Sequence, residues 1–88
     1  GVCPEIVLAL QIAEQIYKDN GVELVITSLN DSKHMAGSLH YVGKAADLRT
    51  RDILINRREE IKNKIAIALG NEFDVILEAD HIHLEFQT

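Results

Sequence analysis

"FDVILEADHIHLEF" (Phe73–Phe86) decides the fold. Two short apolar runs stand on either side of "EAD", and the connection near Ala79 and Asp80 leaves no room for anything but a tight turn. The stretch therefore predicts two strands joined as a hairpin. Side chains alternate across a strand, so Ile82, Leu84 and Phe86 fall on one face, while His81, His83 and Glu85 fall on the other. The first face is the core face. The histidines share the second.

Working outward, the apolar residues Ile61, Ile65, Ala68 and Leu69 predict a helix from about Asn56 to Leu69. "NRRE" offers a weak capping box at its start and Gly70 a stop at its end. "KAADLR" (44–49) reads as a short strand whose small Ala45 and Ala46 permit close backbone approach. Before it, "LNDSKHMAGS" is turn chemistry and reads as a long surface loop. "VELVITS" (22–28) is β-branched and predicts a buried strand. At the other end, Ile6, Leu10, Ala13 and Tyr17, with Ala9 and Ile16 alongside, predict a first helix between Pro4 and Asn20, with Gly21 as its stop. The order helix, strand, strand, helix, strand, strand implies an α+β domain: a small antiparallel sheet with helices packed on one side, and residues 1–88 as a single domain.

Composition narrows the function. With 47% hydrophobic and 26% charged residues in 88, the chain suits one modest core. A formal net charge of −5, with basic residues scattered among acids, argues against nucleic acid or an anionic membrane as partner, since phosphate binding needs a concentrated basic face. The cluster Arg49, Arg51, Arg57 and Arg58 reads as solvated loop and helix surface. No apolar run reaches the ~20 residues of a membrane span and no signal-peptide pattern opens the chain. A start at Gly1 without an initiator methionine suggests a trimmed fragment, with any export signal or flanking domain lying outside it. The single Cys3 rules out an internal disulfide or a thiolate-rich zinc cluster, so a metal here must be held by histidine and carboxylate.

Such residues collect in two places, His40 and Asp47 in "SLHYVGKAADLR" and His81 and His83 in "DHIH". A helix would set residues seven apart at ~10 Å, so His40 and Asp47 can share an ion only if the chain turns between them, for which Gly43 offers the flexible point. Two imidazoles and one carboxylate make a catalytic type of zinc site, because three protein ligands leave a coordination position open. Asp80 and Glu78 are the acids available to move a proton beside it.

"SLHYVGKAADLR" contains S-x-H-x-x-G-x-A-x-D as Ser38, His40, Gly43, Ala45 and Asp47, and "DHIH" supplies an acid-x-x-H together with an H-x-H. Together they resemble the zinc peptidoglycan peptidases, which include D-Ala-D-Ala carboxypeptidases, D-Ala-D-Ala dipeptidases and phage L-alanyl-D-glutamate endolysins, and whose fold is shared by the hedgehog signalling domain. The resemblance covers about half the chain, residues 27–47 and 74–86. It implies a hedgehog/DD-peptidase-like fold and a zinc-dependent metallopeptidase that cleaves an amide bond in the peptide stem of the bacterial cell wall. One Zn2+ would be held by His40, Asp47 and His83. Asp80 would be the general base, with Glu78 its rival, and His81 would stabilise the oxyanion or shuttle a proton. Ser38 would support the loop. The expected partner is a peptidoglycan stem peptide, with no nucleic acid or membrane, and the expected state is a monomer encoded by phage or bacterium.

The sequence departs from the family in one respect. Many relatives hold an arginine soon after the strand that ends in "TS", and "TSLNDSKHMAGS" has none. Lys33 can substitute as a point charge without the bidentate fork, and Arg49 lies two residues past a ligand on the same strand face. With Ser38, both are candidate substrate-binding residues, and the choice between carboxypeptidase and endopeptidase stays open. His34 matches no motif position and reads as a solvated loop residue, and Tyr41 reads equally as a cleft-lining or a packing residue. The alternative function is a non-catalytic zinc-containing binding module, as in the hedgehog relatives.

Overall fold

A computed structural model describes residues 3–30 and 43–87. Its elements are α1 (Pro4–Asp19), β1 (Ile26–Asn30), β2 (Ala45–Arg49), α2 (Ile55–Leu69), β3 (Phe73–Leu77) and β4 (His81–Phe86). All neighbouring strands are antiparallel, in the order β1-β2-β4-β3, so β2 and β4 are central. The α+β class with an antiparallel sheet is as the sequence implied.

Both helices lie on one side of the sheet. Ala13 and Tyr17 from α1, Ile61 and Ile65 from α2, and Leu48, Ile82 and Leu84 from the central strands bury one another in a single cluster, with Ile53 closing one end. The hydroxyl of Tyr17 donates to the carbonyl of Arg49 at 3.0 Å, which ties α1 to the end of β2. Burial pushes the Tyr17 pKa up to about 12, against a smaller pull downward from the charge of Arg58.

The hairpin forms as its alternation requires. Ile82 and Leu84 are buried, Phe86 packs against Phe73 with ring centroids 5.2 Å apart, and the amide of Glu78 donates to the carbonyl of His81 at 2.8 Å to close the turn. Three readings need correction. The first strand starts at Ile26 rather than Val22 and continues through Leu29 and Asn30, which the loop reading had claimed. Val22 and Leu24 pack against the core without ladder partners, because the ladder on β2 is only five residues long; Ile26 and Leu29 are exposed on an edge, and the register shifts between Ile26 and Ser28. At the start of α2 the cap is Leu54, with no side-chain hydrogen bond, so the "NRRE" box does not form. Ala68 is exposed rather than part of the buried stripe, which is carried by Ile61 and Ile65.

Gly70 ends α2 at φ +80°, a conformation that L side chains rarely adopt, which explains why a glycine is needed there. Three of the four clustered arginines have partners: Arg49 bonds Asp52, Arg57 bonds Glu60 and, across to the end of α1, Asn20, and Arg58 bonds the carbonyl of Ile53. Among the described residues, no helix is long and apolar enough to cross a membrane.

Candidate metal centre

The helices cover one face of the sheet, and the chemistry stands on the other. Register sets it out: across the central pair Asp47 lies opposite His83 and Arg49 opposite His81, and on β3 Ile76 lies opposite His83. Asp47 alternates with the buried Ala46 and Leu48, as His81 and His83 alternate with the buried Ile82 and Leu84. Burial of the apolar residues therefore turns the polar ones to a common surface.

Nδ1 of His83 is 2.8 Å from Oδ1 of Asp47, and Nε2 of His81 is 3.6 Å from the same oxygen. One candidate ligand atom from each of Asp47, His81 and His83 lies within 4.8 Å of the other two, close enough to hold a metal ion, and all three side chains are partly buried. Two imidazoles with one carboxylate form a donor set suited to zinc and to other borderline dications. This set differs from the one the motifs imply, His40, Asp47 and His83: His81 joins Asp47 and His83 here, and His40 lies outside the described residues.

Behind the two rings stand two more carboxylates. Nδ1 of His81 is 2.7 Å from Oδ1 of Asp80, and Nε2 of His83 is 3.2 Å from Oε1 of Glu85. Both nitrogens of each ring thus face carboxylate oxygen, which only accepts. Burial pulls the pKa of His83 down, but hydrogen bonds to Asp47 and Glu85, with their negative charges, outweigh it and the net shift is upward. For Asp80, the hydrogen bond from His81 holds the carboxyl below its usual range.

Of the residues singled out in the sequence, the structure brings together Asp47, His81 and His83, with Asp80 attached through His81. Glu78 is exposed on the hairpin turn. Arg49 shares the face, with Nη2 bound to Asp52 at 2.6 Å and a buried Nε that has no partner among the described residues. Lys33, His34, Ser38, His40 and Tyr41 lie outside the described residues. Two residues had been given no role, Glu85 against His83 and Asp52 against Arg49. The alternation H-x-H-x-E already placed Glu85 on the histidine face, whereas Asp52 sits beyond the strand end, where period 2 says nothing.

No family model, no curated protein and no solved structure matches this chain.

Proposed function

We propose that this chain is a zinc-dependent peptidase that hydrolyses an amide bond in the peptide stem of peptidoglycan. The observation that carries the reading is the convergence of Asp47, His81 and His83 on the sheet face opposite the helices, in a chain whose upstream motif reads S-x-H-x-x-G-x-A-x-D. Among the described residues both helices pack on the opposite face, and the partly buried acid and histidines give this one a chemical centre that an extended peptide would meet.

Asp47 and His83 would hold the ion, with His40, by the resemblance of the upstream motif, as the third ligand. A zinc ion there supplies Lewis acidity toward a scissile carbonyl and toward water. The chain's own residues handle the protons. Asp80, whose carboxyl the hydrogen bond from His81 holds below its usual range, would accept a proton from the attacking water at Oδ and return it to the leaving amine; Glu78, on the same turn, is its rival. In its doubly protonated form His81 would donate from Nε2 to the oxyanion that forms on the carbonyl, while its Nδ1–H donates to Asp80. Beside His81 in the register, Arg49 is the cation available for a substrate carboxylate, which it would share with Asp52.

Synthetic stem peptides test this reading. The zinc-loaded chain should cleave a peptide ending in D-Ala-D-Ala or one containing L-Ala-D-Glu, and a chelator should stop it. One equivalent of tightly held zinc with no cleavage of either would favour the non-catalytic binding module.

A further inference from the structure

Every histidine ligand poses a choice between two nitrogens, and the partner of the second nitrogen makes it. On His83, Nδ1 faces Asp47 at 2.8 Å and Nε2 faces Glu85 at 3.2 Å. A cation that uses Asp47 must meet the ring at Nδ1, so the proton that remains belongs on Nε2, where Glu85 accepts it. We infer that Glu85 is the positioning residue of the metal centre, holding the His83 ring so that Nδ1 is presented beside Asp47. This rests on the metal-centre reading above and adds to it the residue that orients a ligand.

Three further observations favour Glu85 in this part. It lies two residues beyond His83 on the same strand, and hence on the same face. Its cross-strand neighbours are Ala45 and Asp74, and the single methyl of Ala45 leaves a longer side chain room to lie along the sheet. Above all, its side chain is only 18% exposed, whereas Asp80 behind His81 is 88% exposed. Water competes fully for Asp80 and far less for Glu85. His83 is thus held as a ligand should be, and His81 is left freer. The carboxylates of Asp47 and Glu85 on either side of one imidazole also raise its basicity and favour a dication.

The test is zinc affinity of the full chain, measured by competition with a chromophoric chelator at fixed pH for the unaltered protein, Glu85→Ala and Glu85→Gln. Ring 15N NMR of His83 in the zinc-loaded protein and thermal unfolding of the metal-free protein accompany it. Loss of an outer-shell carboxylate typically weakens a site roughly 10- to 100-fold, and that is the loss expected of Glu85→Ala. Glu85→Gln keeps an accepting oxygen and should fall between Glu85→Ala and the unaltered protein; if the alanine variant does not fold, the glutamine variant carries the comparison. The NMR spectrum should show a proton on Nε2 in the unaltered protein. Full zinc binding by both variants, or a proton on Nδ1 in the zinc-loaded unaltered protein, overturns the role of Glu85 alone. Failure of the unaltered chain to bind zinc overturns the metal centre together with it.

Discussion

His81 and His83 are neighbours on one strand face, yet their surroundings differ. His83 contacts Asp47 and the shielded Glu85, while His81 contacts the exposed Asp80 and stands farther from Asp47. His83→Ala and Asp47→Ala should each lose zinc, by at least about 100-fold in affinity, as expected when one of three ligands is removed. By contrast, His81→Ala should keep zinc and lose turnover by roughly 100-fold, the scale of a single oxyanion donor. Metal analysis after gel filtration, beside peptide hydrolysis, separates the two; equal zinc loss from all three would make His81 a ligand, which the 4.8 Å cluster permits. The proton carrier is tested by Asp80→Asn combined with Glu78→Gln, which should abolish hydrolysis while zinc content stays at one equivalent. Much of this was legible in the sequence, because period 2 in "DHIHLEF" fixes which residues share a face. The distances were not: that Asp80 would turn to His81, and Glu85 to His83, depends on rotamers that no spacing determines.

At the scale of the element, β4 joins the core to the chemistry. Ile82 is buried between the two histidines, so its packing sets the depth and direction of both. Ile82→Ala should cost about 3 to 4 kcal/mol by leaving a cavity, and should weaken zinc binding even though no ligand is touched; urea unfolding with and without metal reads both effects. Hairpin and helices were plain in the sequence because their apolar periods run through whole elements. The first strand was not, since β-branched content marks extended backbone but the ladder begins only where β2 supplies a partner. Similarly, "NRRE" suggests a side-chain cap for α2, whereas the cap is Leu54, without a side-chain hydrogen bond and with its carbonyl accepting from the amide of Arg57.

Over the whole molecule, α1 and α2 brace the sheet from behind, and the Tyr17 hydroxyl bonded to the Arg49 carbonyl links that brace to the strand bearing Asp47. This link has a pH signature. The folded-state pKa of Tyr17 is raised to about 12 from 10.0, so the folded chain keeps a proton that the unfolded chain releases. The stability it contributes is fully present below pH 10 and is lost as pH rises toward 12, amounting to roughly 2 to 3 kcal/mol. Tyr17→Phe should therefore flatten the alkaline decline in unfolding free energy, while costing about 1 kcal/mol at neutral pH for the lost hydrogen bond. Denaturant titrations at pH 7 and above pH 10 on both proteins check it. What the fold provides is a braced sheet and, on the face opposite the helices, Asp47, His81 and His83 close enough to hold a metal ion, for which a peptidoglycan stem peptide is the proposed substrate. Mass spectrometry of purified peptidoglycan fragments after incubation with the zinc-loaded chain tests that claim most directly. The account predicts new termini at D-Ala or D-Glu that fail to appear with His83→Ala; unchanged fragments from a chain carrying one equivalent of zinc would contradict it.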